Sequence, residues 1–282
     1  MSESLVSMVT ALADDELILG HRHSEWTGFA PHIEEDVAFS SIAQDEIGHA
    51  TALFSLIAGL TGDDPDRLAL GREPGEYRNA ILCERVNRDW AYTLARHWLY
   101  DKADEIRLEA LEATAHEGLA SLITKIRREE RYHLLHADIW MHRIGTGPTE
   151  GRARLAAALS DAFDDALMLF EPLEGEEDAL NERWLPTSSK ELRERFLERV
   201  APSFEELGLP TDPQRQPDEG AEFIASSSGD LIAETAPGDK GPANGSGQAP
   251  GMGGRRGHHS EDLEALWGEM TATYRADPGA SW

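Results

Sequence analysis

Apolar residues in this chain recur at spacings of three and four, the period of an amphipathic helix, rather than in long uninterrupted runs. Leu5, Met8, Val9, Leu12 and Leu19 mark a first helix over 4–24, and Thr27-Gly28-Phe29-Ala30-Pro31 breaks it. Val37, Ile42, Ala43, Leu53 and Ile57 mark a second, from Ile33 to Leu60. The stretch from Thr61 to Tyr77 has little periodicity and holds Gly62, Pro65, Gly71, Pro74 and Gly75. Trp90, Leu94, Trp98 and Leu108 place a third helix over Arg78 to Glu112. After a weak turn at Thr114 to Gly118, a fourth carries Ile123, Ile126, Ala137 and Trp140 as far as Arg143.

A short loop, a long crossover and a second short loop give the connectivity of an all-α, ferritin-like four-helix bundle. Two further helices, Arg152 to Phe170 and Ser188 to Leu207, are expected to pack around it, so that residues 1–209 form one helical domain. Residues 210–257 are rich in Pro, Gly, Ser, Ala and Asp and read as an acidic linker, largely disordered. A helical tail is expected over 258–282, with Ser260 as N-cap of a helix reaching Tyr274.

Composition narrows the chemistry. The single cysteine, Cys83, excludes internal disulfides, thiolate zinc sites and iron–sulfur clusters, and is read as a small buried hydrophobe. No apolar run approaches the roughly 20 residues of a membrane span, and Met1-Ser2-Glu3-Ser4 lacks the start of a signal peptide, so a cytoplasmic protein is expected. The formal charge of −27 argues against nucleic-acid or anionic-membrane partners. All but four of the 26 basic residues are arginines. An acidic, lysine-poor chain fits the salt-rich cytoplasm of a halophile and, equally, a high-GC genome with an acidic tail.

Two motifs of the form Glu-x-x-His carry the candidate chemistry: Glu46-Ile47-Gly48-His49 and Glu130-Arg131-Tyr132-His133. A spacing of three puts the carboxylate and the imidazole on one helical face, and each motif lies within an apolar stripe. Residues at one level of an antiparallel hairpin are equidistant from its turn. Reflecting Glu46 about Pro31 reaches Glu16, and reflecting Glu130 about the Ala115–His116 turn reaches Asp101. Four carboxylates and two histidines then meet at one level: Glu16, Glu46, His49, Asp101, Glu130 and His133. That donor set is the di-iron carboxylate design, and without thiolate it points to two iron ions, with manganese as the alternative. Asp14, Asp15, Asp104, Glu105 and Glu129 are expected mostly on exposed faces, His136 and His142 at the surface or behind the ligands. Asp45 is read either as a residue backing a ligand or as a solvated one.

A diferrous pair with open positions binds O2 and can insert oxygen into a substrate. The chain has neither a nucleotide fold nor a cysteine cluster, so the electrons are expected from a partner reductase.

Three segments together resemble a known family. They are Asp14-Asp15-Glu16-Leu17-Ile18-Leu19 with Ser24-Glu25-Trp26, then Glu130-Arg131-Tyr132-His133, and finally Gly253-Gly254-Arg255-Arg256-Gly257-His258 with Pro278-Gly279 and Trp282. They look like the C-type subunit of phenylacetyl-CoA epoxidase. The resemblance implies a multicomponent monooxygenase that epoxidises the aromatic ring of phenylacetyl-CoA with O2. The partners it implies are a small B-type subunit, an A-type catalytic subunit and a flavin/iron–sulfur reductase. In that family the C-type member is described as structural, with a degraded metal site. This sequence departs from the pattern with its full ligand set, although Asp101 stands where the longer Glu is expected. The alternatives are a non-catalytic scaffold and a self-sufficient ferritin-like oxidase or iron store. Trp26, Trp90, Trp98 and Trp140 are read as interface anchors or buried core. The basic cluster Arg255, Arg256, His258 and His259 is read as docking on its own bundle, on a partner, or near CoA phosphates.

Overall fold

The computed structural model describes residues 2–209 and 251–279. Among these there is no strand, and the architecture is an all-α bundle of the ferritin-like kind. Its helices are α1 (Glu3–Ser24), α2 (Ile33–Thr61), α3 (Pro65–Leu70), α4 (Ile81–Glu84), α5 (Trp90–Leu111) and α6 (Glu117–Gly145), followed by α7 (Thr149–Leu167), α8 (Glu176–Asn181), α9 (Ser189–Leu207), α10 (Glu261–Met270) and α11 (Ala272–Ala276). Two hairpins, α1/α2 and α5/α6, make the bundle; α7 and α9 pack on the outside of α5. Most of the apolar stripe residues are buried: Leu12, Leu19, Leu53, Ile57, Trp98, Leu108, Ile123 and Ile126 lie in one core, Leu94 and Trp140 in a smaller cluster with Phe39, while Val37 is exposed. No helix among the described residues is long and apolar enough to cross a membrane.

The third helix starts later than periodicity predicts. Residues 78–89 form only the single turn α4 and an irregular segment before α5. Side chains have taken the backbone groups that a helix would have used. Asp15 accepts from the Ala80 amide at 2.8 Å, Arg22 donates to the Glu84 carbonyl at 2.8 Å, and Arg96 donates to the Arg85 carbonyl. Asp89 then caps α5 by accepting from the Tyr92 amide at 2.9 Å. The short helices α3 and α8 also lie where the sequence showed no period. Ser260 precedes α10 but makes no capping bond; its own amide donates to Glu84 instead.

The acidic linker expected over 210–257 lies outside the described residues as far as 250. Residues 251–257 are folded onto the bundle, with Gly254 and Arg255 buried. The Arg255 guanidinium donates to both oxygens of Asp15, at 2.8 and 2.7 Å, and to the carbonyls of Ala11, Arg78 and Leu169. His259 lies 2.7 Å from Glu84, and the exposed Arg256 pairs with Glu171. Arg255, Arg256 and His259 thus contact their own bundle. The buried Arg255 guanidinium is compensated by the carboxylate beside it.

The tryptophans pack against one another and against the core. Trp26 and Trp90 meet at 5.0 Å between ring centroids, Trp90 and Trp140 at 6.1 Å, and Trp98 is buried against Phe204. Trp98 and Trp140 are buried, and Trp26 and Trp90 are partly buried against Phe39, Leu94 and Trp140.

Candidate metal centre

At one height in the bundle, α1 contributes Glu16, α2 contributes Glu46 and His49, α5 contributes Asp101, and α6 contributes Glu130 and His133. All six are buried. Gly20, one turn beyond Glu16, lets α1 and α2 approach closely here, because a Cβ at that position would lie 2.9 Å from Glu46 Cβ.

Donor atoms of Glu16, Glu46, His49 and Glu130 all fall within 4.8 Å of one another. His49 Nδ1 lies 3.2 Å from Glu16 Oε2 and 3.1 Å from Glu130 Oε1. His133 Nδ1 joins the group, 3.2 Å from Glu130 Oε1 and 3.8 Å from Glu46 Oε1. Asp101 stands to one side, with His97 Nδ1 3.3 Å from its Oδ1.

Behind the inner atoms, each imidazole is held by its other nitrogen. His49 Nε2 meets Glu129 at 2.9 Å and His133 Nε2 meets Asp45 at 3.2 Å. Each partner is the acidic residue just before the Glu of the opposite motif, so the pairings cross and α2 and α6 run antiparallel. Glu129 and Asp45 are thus partly exposed residues that each back a ligand. Tyr100, which no periodic argument singled out, donates to Glu16 Oε1 at 3.0 Å. Of the other acidic residues expected on exposed faces, Asp14, Asp15 and Asp104 are buried: Asp14 pairs with Arg72, Asp15 with Arg107 and Arg255, and Asp104 with Arg107. His142 is exposed, as expected. His136 sits between His97 and Glu35.

The electrostatics of the cluster suit a cation. Burial, reinforced by the Glu16 and Glu130 charges, pushes Glu46 well above the ordinary carboxylate range; burial, with the Glu130 charge, does the same to Asp101. Burial opposes protonation of His49, yet Glu130 and Glu16 outweigh it and hold the ring up to about 11. His133 is held up to about 10 against burial by Glu130 and Asp45. At Glu130 burial is outweighed in turn by His133 and His49, and its carboxyl is lowered. Protons are thus standing in for positive charge that a divalent ion would supply.

Hydrogen bonding gives the same answer. Both oxygens of Glu46 and of Asp101, Glu130 Oε1 and His133 Nδ1 are buried without a hydrogen-bond partner. Such groups cost about 1–3 kcal/mol each when left unsatisfied. Oxygen and imidazole donors without thiolate fit iron or manganese, which would be held by Glu16, Glu46, His49, Glu130 and His133, with Asp101 at the margin. A cavity of about 120 Å³, lined by Asp45, Gly48, Lys125 and Glu129 among others, reaches His49 between α2 and α6. It has room for water or O2.

The phenylacetic acid catabolic protein family matches residues 1–225. The chain belongs to that family. It is 28% identical over 279 residues to the C-type subunit of 1,2-phenylacetyl-CoA epoxidase from Escherichia coli K12, covering 99% of each chain. It is also 23% identical over 211 residues to the A-type subunit of the same organism's epoxidase, covering 73% of this chain and 68% of that one.

Two histidines escaped the sequence reading. His23 on α1 and His97 on α5 are fully buried beside the cluster. Burial drives His97 down to about 3 and lowers His23 as well, so both rings are neutral. His97 sits four residues before Asp101 and His23 seven after Glu16. Those spacings put both rings on the helix faces that carry Glu16 and Asp101.

Proposed function

We propose that this chain is the C-type subunit of an O2-dependent multicomponent monooxygenase that epoxidises the ring of phenylacetyl-CoA, and that it carries its own metal centre. The observation that carries the reading is end-to-end similarity to the C-type chain of an epoxidase, joined to a buried set of carboxylates and histidines with unpartnered inner atoms. Two iron ions are the proposed occupants, with manganese as the alternative; bound iron would supply O2 reduction. The chain's own residues hold the donors in place: Tyr100 orients Glu16, Glu129 orients His49 and Asp45 orients His133. The proposed partners are a small B-type subunit, an A-type catalytic subunit and a flavin/iron–sulfur reductase.

The scaffold reading shares fold, partner and pathway, and Asp101 favours it, because a shorter carboxylate weakens one position of the centre. Metal content separates the two. Full-length chain loaded anaerobically with Fe(II) and desalted should retain close to two ions per chain, and co-expression with an A-type partner should give one complex on gel filtration. A chain that retains no metal yet assembles normally is a scaffold. A chain that never associates with an A-type partner is not part of this enzyme.

A further inference from the structure

We propose that His97 and His23 are nitrogen donors of the metal centre, forming with Asp101 and Glu46 an imidazole-rich position that shares Glu46 with the one built by Glu16, Glu46, His49 and Glu130. This deepens the metal-centre reading above and rests on it.

His97 is oriented as a ligand would be. In His49 and His133 the Nδ1 atom faces the cluster while Nε2 is held from behind. His97 repeats the arrangement: its Nδ1 has no hydrogen-bond partner and lies 3.3 Å from Asp101 Oδ1, while its Nε2 lies 3.4 Å from His136 Nδ1. His136 is fixed in turn by Glu35, 2.9 Å from its Nε2, and Glu35 also accepts from Trp140 at 2.8 Å. A metal-bound histidine is held by such an outer chain.

His23 supplies the second observation. Its ring is fully buried, neither nitrogen has a partner, and Nδ1 lies 4.0 Å from Glu46 Oε1. Two donors bound to one ion at roughly 2.0–2.2 Å stand about 3–4.4 Å apart, so both separations suit a shared ion. The His23 and His97 rings are 5.2 Å apart between centroids, and Phe39 closes over both, at 5.3 and 5.4 Å. Packing alone does not account for them, since an apolar side chain would fill this layer without stranding three ring nitrogens.

Asp101 explains why the imidazoles stand where they do. Both its oxygens are unpartnered, and its side chain is one methylene shorter than Glu. His97, one turn earlier on α5, extends the reach that Asp101 lacks. The two positions then differ in donor type: imidazole favours iron, cobalt, nickel and zinc, while the carboxylate-rich position also suits manganese.

The test uses Co(II) as probe on the metal-free, full-length chain, read by visible absorption and by X-ray absorption of the loaded protein. The wild type should take up two ions in two steps, with about two imidazoles per ion on average. In His23→Phe/His97→Phe the first ion should bind as before and affinity for the second should fall at least ~100-fold, with helicity unchanged. Unchanged binding of both ions by the double variant, or about one imidazole per ion in the wild type, overturns the inference while leaving the metal centre standing. The imidazole count decides alone if the double variant does not fold. A wild-type chain that takes up no Co(II) overturns the metal-centre reading, and this inference with it.

Discussion

The Nε2 atom of His49 on α2 meets the carboxylate of Glu129 on α6 at 2.9 Å, and the same bond recurs in reverse between His133 of α6 and Asp45 of α2, at 3.2 Å. Each carboxylate fixes the ring so that Nδ1 points inward and raises its basicity as a donor. Glu129→Gln and Asp45→Asn are each expected to lower metal affinity roughly 10- to 100-fold. Both carboxylates are partly exposed, so thermal stability of the metal-free chain should change little. Chelator competition against the wild type measures the affinity, and circular dichroism measures the fold.

Removing metal should make stability depend on pH in a defined direction. His49 and His133 are raised to about 11 and about 10, so their contribution is full below the ordinary histidine value near 6.5 and is lost as pH rises through 10 to 11. Glu46 and Asp101 are raised as well; their protonated forms favour folding at low pH, and that benefit also declines as pH rises. The signs agree. The metal-free chain should melt at a lower temperature at pH 9 than at pH 6.5, while the Fe(II)- or Mn(II)-loaded chain should show a much smaller change. A metal-free melting temperature that rises over this interval counts against the charge arrangement described.

His49→Ala/His133→Ala tests the ligand assignment itself. Both imidazoles touch Glu130 Oε1, so the double variant removes two donors that face one carboxylate. At least one of the two ions should be lost with helicity largely intact. Stoichiometric metal in the double variant would sink the assignment.

How much of this was legible in the sequence follows from what periodicity can carry. Glu46, His49, Glu130 and His133 were visible because a spacing of three is fixed by the helix. Glu16 and Asp101 followed because a hairpin places residues equidistant from its turn at one level. His23 and His97 were missed because isolated histidines on an apolar stripe resemble ordinary core residues until unpartnered nitrogens can be seen. Asp14 and Asp15 were misplaced on the surface because their arginine partners, Arg72, Arg107 and Arg255, lie from 58 to 240 residues away, and Asp104 because its pair with Arg107, three residues on, has the spacing of an ordinary exposed helix pair. The late start of α5 was hidden for the same reason: Asp15, Arg22 and Arg96 take backbone groups that local propensity assigns to a helix.

Gly20 sets the distance between α1 and α2 at the height of the site. An added Cβ would meet Glu46 Cβ and Ile47 Cγ1 at 2.9 Å and the Ile47 amide nitrogen at 3.2 Å. The backbone itself must therefore give. Gly20→Ala should destabilise the chain by about 1–3 kcal/mol, as overpacking does, and should weaken metal binding by displacing Glu46. A variant with wild-type metal affinity and melting temperature would show that the hairpin relaxes freely.

The tail offers the sharpest test of stability, because Arg255 joins the far end of the chain to α1. Its guanidinium grips both oxygens of Asp15, which also accepts from Arg107 at 2.6 Å and from the Ala80 amide. Burial alone would raise the Asp15 carboxyl, but Arg255 and Arg107 overcome it and hold the group below its ordinary value. A depressed carboxylate stabilises the fold above its unfolded value of about 3.8, and that contribution is lost as pH falls through the lower folded value. Arg255→Ala leaves a buried carboxylate with one cation fewer, at a cost of roughly 3–5 kcal/mol. Deleting residues 253–282 should destabilise the bundle comparably, since it removes the same guanidinium together with the buried Leu263 and Leu266. Asp15→Asn paired with Arg255→Met removes both charges, and should recover part of the loss. Denaturant melts at pH 7 and pH 3.5 measure all of these. The gap between wild type and Arg255→Ala should narrow at the lower pH, as Asp15 begins to take up its proton. Equal stability of wild type and Arg255→Ala at pH 7 would mean that the tail rests on the bundle without bracing it.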